Sequence, residues 1–300
     1  MKIEGILPAV LTPFTAEGRV DTAALERLIA RLYDADVDGL YVCGQTGEGL
    51  AQSVEMRKAA LETAVACSPA SKSVIAHVGS ARLEDAIELA RHAARAGARA
   101  VSSLPPAGGF SYEEIRGYYA KLAQASEAPL VLYFYPEVAP GLRADQVVEL
   151  CSLPNVAGVK FTSFELNRIA EMNRSGAFVL NGRDEVLAAG LLMGACGGIG
   201  SFYNLTPALF VQVWRAARRG GWSEARAVQD RIDELISIVL RFPMIAALKK
   251  LLTWSGVPCG DSLEPRRGLT AEEEAALRLQ VSAAGFDPCG FLAVRAGSST

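Results

Sequence analysis

A (β/α)8 barrel with a C-terminal helical extension is the fold class this sequence predicts, and three observations carry the prediction. Apolar strand-like runs alternate with helix-period segments, giving eight βα units in about 215 residues. The remaining third of the chain reads as helix alone. No low-complexity linker separates the two parts, so the barrel is expected over residues 1–220 and the extension, packed on it, over 221–300. A doubly wound open sheet is the rival architecture. Its best support, Gly194-Ala-Cys-Gly-Gly-Ile-Gly200, is not a GxGxxG fingerprint and comes seven strands into the chain.

The expected strands are Gly5–Val10, Gly39–Cys43, Ser73–Val78, Ala100–Leu104, Leu130–Phe134, Val156–Phe161, Ala177–Leu180 and Gly197–Gly200. Their short apolar runs suit parallel strands buried on both faces. Between them, Leu25, Leu28, Ile29 and Leu32 recur at helical spacing behind Asp21, whose carboxylate can cap the first turn. Gly39 and Gly97 fall where helix C-termini should hand over to strands. Ser111-x-x-Glu114 is a capping box that opens the helix after strand four. In the extension, Trp222–Leu240 and Pro243–Trp254 read as helices, and Thr270-x-x-Glu273 opens a last one. From Ala284 to Thr300 periodicity fades and a partly frayed tail is expected.

Composition narrows the function. Half the residues are apolar and 21% are charged, with a net charge of −3. That balance leaves no basic footprint for nucleic acid. The start, Met-Lys-Ile-Glu-Gly-Ile-Leu-Pro, enters a strand pattern without a signal-peptide core, so a cytoplasmic protein is expected. Val186 to Trp214 holds no charge and is long enough to cross a bilayer, but its five glycines, Asn204, Thr206 and Pro207 break it into shorter elements, so no membrane association is expected. Six cysteines form no CxxC pair and only two histidines exist, which argues against a metal site and for reduced core cysteines.

Chemistry in such a barrel sits at the C-terminal strand ends. Lys160 ends strand six within Asn155-Val-Ala-Gly-Val-Lys-Phe161. Burial there disfavours the ammonium form of a group whose ordinary pKa is about 10.4, and a neutral amine can attack a ketone to form a Schiff base. The plainer alternative is a lysine that snorkels its charge to water. After strand two, Gly44-Gln-Thr-Gly-Glu-Gly49 can aim backbone N–H groups at a small carboxylate, with the Thr46 hydroxyl as a further donor. An ordinary βα turn is the alternative. Strand five ends in Tyr133-Phe-Tyr-Pro136, where a phenol could shuttle protons or simply pack. Thr162 follows Lys160, and Asn181-Gly-Arg-Asp-Glu185 brings two carboxylates to the rim, where Asp184 could equally cap a helix. Gly197-Gly-Ile-Gly-Ser201 offers a thin backbone that a ligand could approach. His77 reads as a packed core histidine and receives no role.

On these residues the chain resembles the dihydrodipicolinate synthase/N-acetylneuraminate lyase superfamily, the Schiff-base aldolases that use pyruvate. The likeness runs from Gly5-Ile-Leu-Pro-Ala-Val-Leu-Thr-Pro-Phe14 to about Gly268. Its motifs are Gly44-x-Thr-Gly-Glu48, Tyr133-x-x-Pro136, Gly158-Val-Lys-Phe-Thr162 and Gly197-Gly-Ile-Gly-Ser201. The resemblance implies that Lys160 forms the imine, that Tyr133 shuttles protons, and that the loop at Gln45 and Thr46 holds the pyruvate carboxylate. It also implies no metal or organic cofactor and a homotetramer built from two tight dimers.

Three departures separate the chain from the synthase branch. Gln45 replaces a hydroxyl residue, Glu137-Val138-Ala139 stands where an arginine is usual, and the loop Leu104-Pro-Pro-Ala-Gly-Gly-Phe110 lacks a tyrosine. The lyase branch is more similar, through Asn181-Gly182-x-Asp184-Glu185 and Gly198-Ile-Gly-Ser-x-Tyr-Asn204. That likeness implies that Thr162, Gly182, Asp184, Glu185 and Ser201 hold the polyol tail of a sugar acid. Gln45, Arg183 and Ala107-Gly108 depart from this branch too, and the segment before Gly141 is longer, so the wall near Glu137 is expected to be reshaped. The expected activity is cleavage of N-acetylneuraminate or a related 2-keto-3-deoxy sugar acid to pyruvate and an aldehyde. The alternatives are a synthase-like condensation, a 2-keto-3-deoxy sugar acid dehydratase, and a non-catalytic sugar-acid-binding homologue.

Overall fold

The computed structural model describes residues 3–290. Its eight strands are β1 (Gly5–Pro8), β2 (Gly39–Val42), β3 (Ser73–His77), β4 (Ala100–Ser103), β5 (Leu130–Phe134), β6 (Val156–Phe161), β7 (Phe178–Asn181) and β8 (Gly197–Gly200). They pair in parallel in the order β1-β8-β7-β6-β5-β4-β3-β2. A bridge between Ala9 and Tyr41, with the Val10 amide donating to the Tyr41 carbonyl at 2.9 Å, links the two ends of the sheet and makes a barrel. The helices of the barrel are α1 (Thr22–Asp34), α2 (Val54–Ala66), α3 (Leu83–Ala96), α4 (Tyr112–Ala125), α5 (Ala144–Leu150), α6 (Asn167–Arg174), α7 (Leu187–Leu192) and α8 (Pro207–Arg218). The extension adds α9 (Trp222–Val239), α10 (Met244–Trp254) and α11 (Ala271–Ala283).

Strand alternation divides the core. Leu7, Tyr41, Ile75, Val131, Tyr133, Leu180 and Ile199 point inward and pack on one another inside the barrel. Ile6, Leu40, Val42, Leu132, Val159 and Phe161 point outward into the layer beneath the helices. Lys160 therefore has inward parity, between outward-facing Val159 and Phe161. Several expected strands ran one or two residues too far at their C-terminal ends. Ala9, Val10 and Val78 still donate backbone hydrogen bonds to neighbouring strands, whereas at Cys43, whose φ is +59°, the chain turns sharply into a site loop.

The predicted caps form. Asp21 accepts the Ala24 amide, and Ser111 with Glu114 and Thr270 with Glu273 make full capping boxes. Gly97 ends α3 in the left-handed region at φ +98°. Gly39 does not cap α1. Asp36 takes the left-handed turn after that helix, and Gly39 is needed because a Cβ there would lie 2.2 Å from the Ser73 carbonyl oxygen of the neighbouring strand. Cys43, Cys151, Cys196 and Cys259 are buried, but Cys67 is half-buried and Cys289 exposed, so not every cysteine is a core residue. The uncharged span Val186–Trp214 is divided among α7, β8 and α8, and no described helix is long and apolar enough to cross a membrane. Most of the expected frayed tail lies outside the described residues.

The extension grips two of the loops at the barrel mouth. Gln229 of α9 donates to the Asp184 carbonyl at 2.9 Å and accepts the Ala188 amide at 3.1 Å. Lys249 of α10 pairs with Glu48 in the loop after β2 at 2.7 Å, and the Leu263 amide donates to the other Glu48 carboxylate oxygen at 2.8 Å.

Candidate active site

A cavity of about 340 Å³ opens at the C-terminal ends of the strands. Gln45, Thr46, Tyr133, Lys160, Thr162, Gly182, Asp184, Glu185 and Ser201, the residues singled out from the sequence, all line it. Their convergence follows from topology, because parallel strands deliver every βα loop to the same rim.

Lys160 lies at the base, 3% exposed. It stands directly across the ladder from Tyr133. Its Nζ is 3.9 Å from the centroid of the Tyr133 ring and 4.1 Å from that of Tyr41. Among the described residues no carboxylate pairs with it at salt-bridge distance. Burial lowers its pKa to about 7, and the more distant charge of Asp184 only partly opposes that. A large fraction of the amine is thus neutral and nucleophilic near neutrality, so the snorkelling alternative for Lys160 does not describe this side chain. Burial also raises the Tyr133 phenol well above its ordinary value, so that it rests protonated.

Asp184 is buried and accepts the Phe202 amide at 2.7 Å. Burial pushes its pKa up to about 7, against the Phe202 hydrogen bond, which favours the carboxylate. Its capping partner is the turn Phe202–Asn204 after β8, not the helix after β7. The thin backbone of β8 serves this contact rather than a ligand. A Cβ at Gly200 would lie 2.0 Å from Asp184 Oδ1, and one at Gly198 would lie 2.2 Å from the Tyr203 hydroxyl.

Thr46 and Ser201 join across the mouth through a 2.6 Å hydroxyl contact. The Glu48 and Gly49 amides close their turn on the Gln45 and Gly44 carbonyls. Among the described residues the amides of Gln45, Thr46 and Gly47 bond no other backbone group, which leaves them as donors for an anion. His77 is buried, accepts the Leu104 amide at Nε2 at 3.1 Å, and does not line the cavity, as expected for a packed histidine. Among the described residues no three His, Cys, Asp or Glu side chains converge as a metal site.

Sequence reasoning missed part of the wall. Tyr135, Arg183 and Arg266 also line the cavity, as do Ile236, Leu240, Met244 and Ile245 from the extension. Tyr135 was within reach, since it lies two residues beyond Tyr133. The residues of the extension carry no signal that points to a site belonging to the barrel.

Comparison with known proteins identifies the family. Residues 2–284 match the model of the Dihydrodipicolinate synthetase family. N-acetylneuraminate lyase of Rhizobium meliloti is 36% identical over 285 residues, which are 94% of this chain and 95% of the relative. CdNal from Clostridium difficile, solved in complex with mannosamine, superposes with a TM-score of 0.89 at 29% identity, over 95% of this chain and 100% of that one. Sialic acid aldolase of Ruminococcus gnavus gives the same TM-score and identity, over 95% of this chain and 98% of its own.

Proposed function

The chain belongs to the dihydrodipicolinate synthetase family, and from that premise we propose that it is a Schiff-base lyase, a class I aldolase that cleaves N-acetylneuraminate or a related 2-keto-3-deoxy sugar acid to pyruvate and an aldehyde. The observation that carries the reading is the buried Lys160 amine, facing Tyr133 in the cavity and without a paired carboxylate among the described residues. The neutral amine attacks the C2 ketone, and loss of water gives the iminium. Tyr133 takes the C4 hydroxyl proton as its own phenol proton passes to the substrate carboxylate. The C3–C4 bond then breaks, its electron pair flows into the iminium to leave an enamine, and C4 departs as the aldehyde. Protonation at C3 and hydrolysis release pyruvate and restore the amine.

The amides and hydroxyl of the Gln45–Thr46 loop hold the pyruvyl carboxylate. Thr162, Gly182, Asp184, Glu185 and Ser201 hold the tail, with the carboxylates accepting from its hydroxyls. The covalent imine takes the place of a cofactor. A homotetramer of two dimers working in the cytoplasm completes the proposal. The test is pyruvate release from N-acetylneuraminate, read with lactate dehydrogenase, beside borohydride trapping with pyruvate. Wild type releases pyruvate and is trapped, and Lys160→Ala does neither. Trapping that survives in Lys160→Ala refutes the nucleophile, and a dehydrated keto acid as the product replaces the lyase by a dehydratase.

A further inference from the structure

Arg183 lines the cavity closer to solvent than Lys160 does, with its side chain 15% exposed. Its guanidinium carbon lies 4.5 Å from the centroid of the Phe164 ring, in the loop after β6, and 5.3 Å from that of Tyr135, at the end of β5. One of its terminal nitrogens pairs with Glu137 in the loop after β5. A single side chain from the β7 loop is thus clamped by two neighbouring loops, and little freedom remains for it to lose when a ligand binds.

Two of its donors are left open. The other terminal nitrogen, NH1, is 4.0 Å from Glu185 Oε1, beyond hydrogen-bond distance. Nε is buried and, among the described residues, has no hydrogen-bond partner. Among the described residues NH1 and the Glu185 carboxylate have no hydrogen-bond partner, and they face each other across a gap that one hydroxyl can bridge. The surrounding charge also selects. Glu137 and Glu185 are two carboxylates beside one guanidinium, so an anionic tail meets repulsion that a neutral polyol does not.

We propose that Arg183 is a specificity-determining residue for the aldehyde half of the substrate. With Glu185 it takes a hydroxyl from the outer part of a neutral polyol tail, the hydroxyl donating to Glu185 and accepting from Arg183. Glu137 is the positioning residue that holds the guanidinium in place. The assignment rests on the lyase reading and adds to it a preference for long, uncharged tails.

The experiment compares kcat/KM for a nine-carbon and a six-carbon 2-keto-3-deoxy sugar acid in wild type, Arg183→Met and Arg183→Lys, with borohydride trapping on pyruvate in each. Methionine keeps an apolar stem between the two rings. In Arg183→Met the nine-carbon value falls about 10- to 100-fold, mainly through KM, the size of one lost charge-assisted hydrogen bond. The six-carbon value falls less than about threefold, and trapping is unchanged. Should Arg183→Met lose trapping, its fold has suffered, and Arg183→Lys is read by the same ratio. An unchanged ratio between the two substrates overturns the role of Arg183 alone. Failure of wild type to release pyruvate from either substrate overturns the lyase reading and this assignment with it.

Discussion

Lys160 and Lys249 are buried alike, 3% and 2% exposed, and each places Nζ about 4 Å from an aromatic centroid, Tyr133 and Tyr41 for the first and Phe14 for the second. Desolvation lowers the pKa of both. What separates them is the neighbouring anion. Lys249 pairs with Glu48 at 2.7 Å and donates to the Asp261 carbonyl at 2.9 Å, so its charge is matched where it sits. For Lys160 the anion in question is Asp184, not in contact with the amine, itself raised to about 7 and already bonded to the Phe202 amide. A buried amine with a contacting carboxylate is a strut, whereas one without becomes a nucleophile.

Replacing each lysine by methionine separates the two most visibly. Lys249→Met leaves buried Glu48 with only the more distant, half-exposed Arg266, at 3.9 Å, as a cation, and losing the contacting partner of such a pair costs up to about 3–5 kcal/mol. Chemical denaturation should show that loss, while the protein that remains folded is still trapped by borohydride with pyruvate. Removing the second charge as well, in Lys249→Met with Glu48→Leu, should restore most of the lost stability. Lys160→Met should show the reverse pattern, with no trapping and stability equal to or above wild type, because an unmatched buried amine has been removed. Equal stability losses in the two single variants would mean that Lys160 is as much a strut as Lys249.

The proton relay separates the two lysines further. Tyr133→Phe keeps the ring against Lys160 and removes the phenol. Sugar-acid cleavage should fall by about 10²- to 10⁴-fold while imine trapping stays within a few-fold of wild type. A parallel loss of trapping would place Tyr133 in imine formation itself.

The two lysines were unequally legible in the sequence, for physical reasons. Lys160 closes an apolar strand, so its position at the catalytic rim follows from period-two alternation and from the rule that parallel strands deliver their loops to one end. The strands, the caps and the lining residues Thr46, Tyr133, Asp184 and Glu185 were readable on the same grounds. Lys249 sits at helical spacing from Ile245 and Leu252, which could have marked it as inward-facing. Its partner Glu48 lies at the other end of the barrel sequence, and local pattern does not report such a pairing. Two glycine readings failed for a related reason. A glycine shows that something comes close, and only the fold says that at Gly39 it is a neighbouring strand and at Gly200 the Asp184 carboxylate. Arg183 stood out by position, but its use depends on Glu137, Phe164 and Tyr135, which come from other loops.

The smallest effect is the pH dependence of imine formation at Lys160. Only the neutral amine attacks pyruvate, and its pKa is about 7. The rate of imine formation should therefore level off above neutrality and fall about tenfold for each pH unit below 7. Lys249, lowered in the same direction but paired, should contribute no inflection to that profile. Asp184→Asn tests the remaining electrostatic link. Asparagine can still accept the Phe202 amide through its carbonyl oxygen, so the turn after β8 keeps its anchor. The negative charge that favours the ammonium form is lost, however, and the inflection should move to lower pH. An inflection that does not move would show that burial alone sets the Lys160 amine and that Asp184 acts only on the substrate tail and the turn that it anchors, and one that moves to higher pH would overturn the electrostatic link itself.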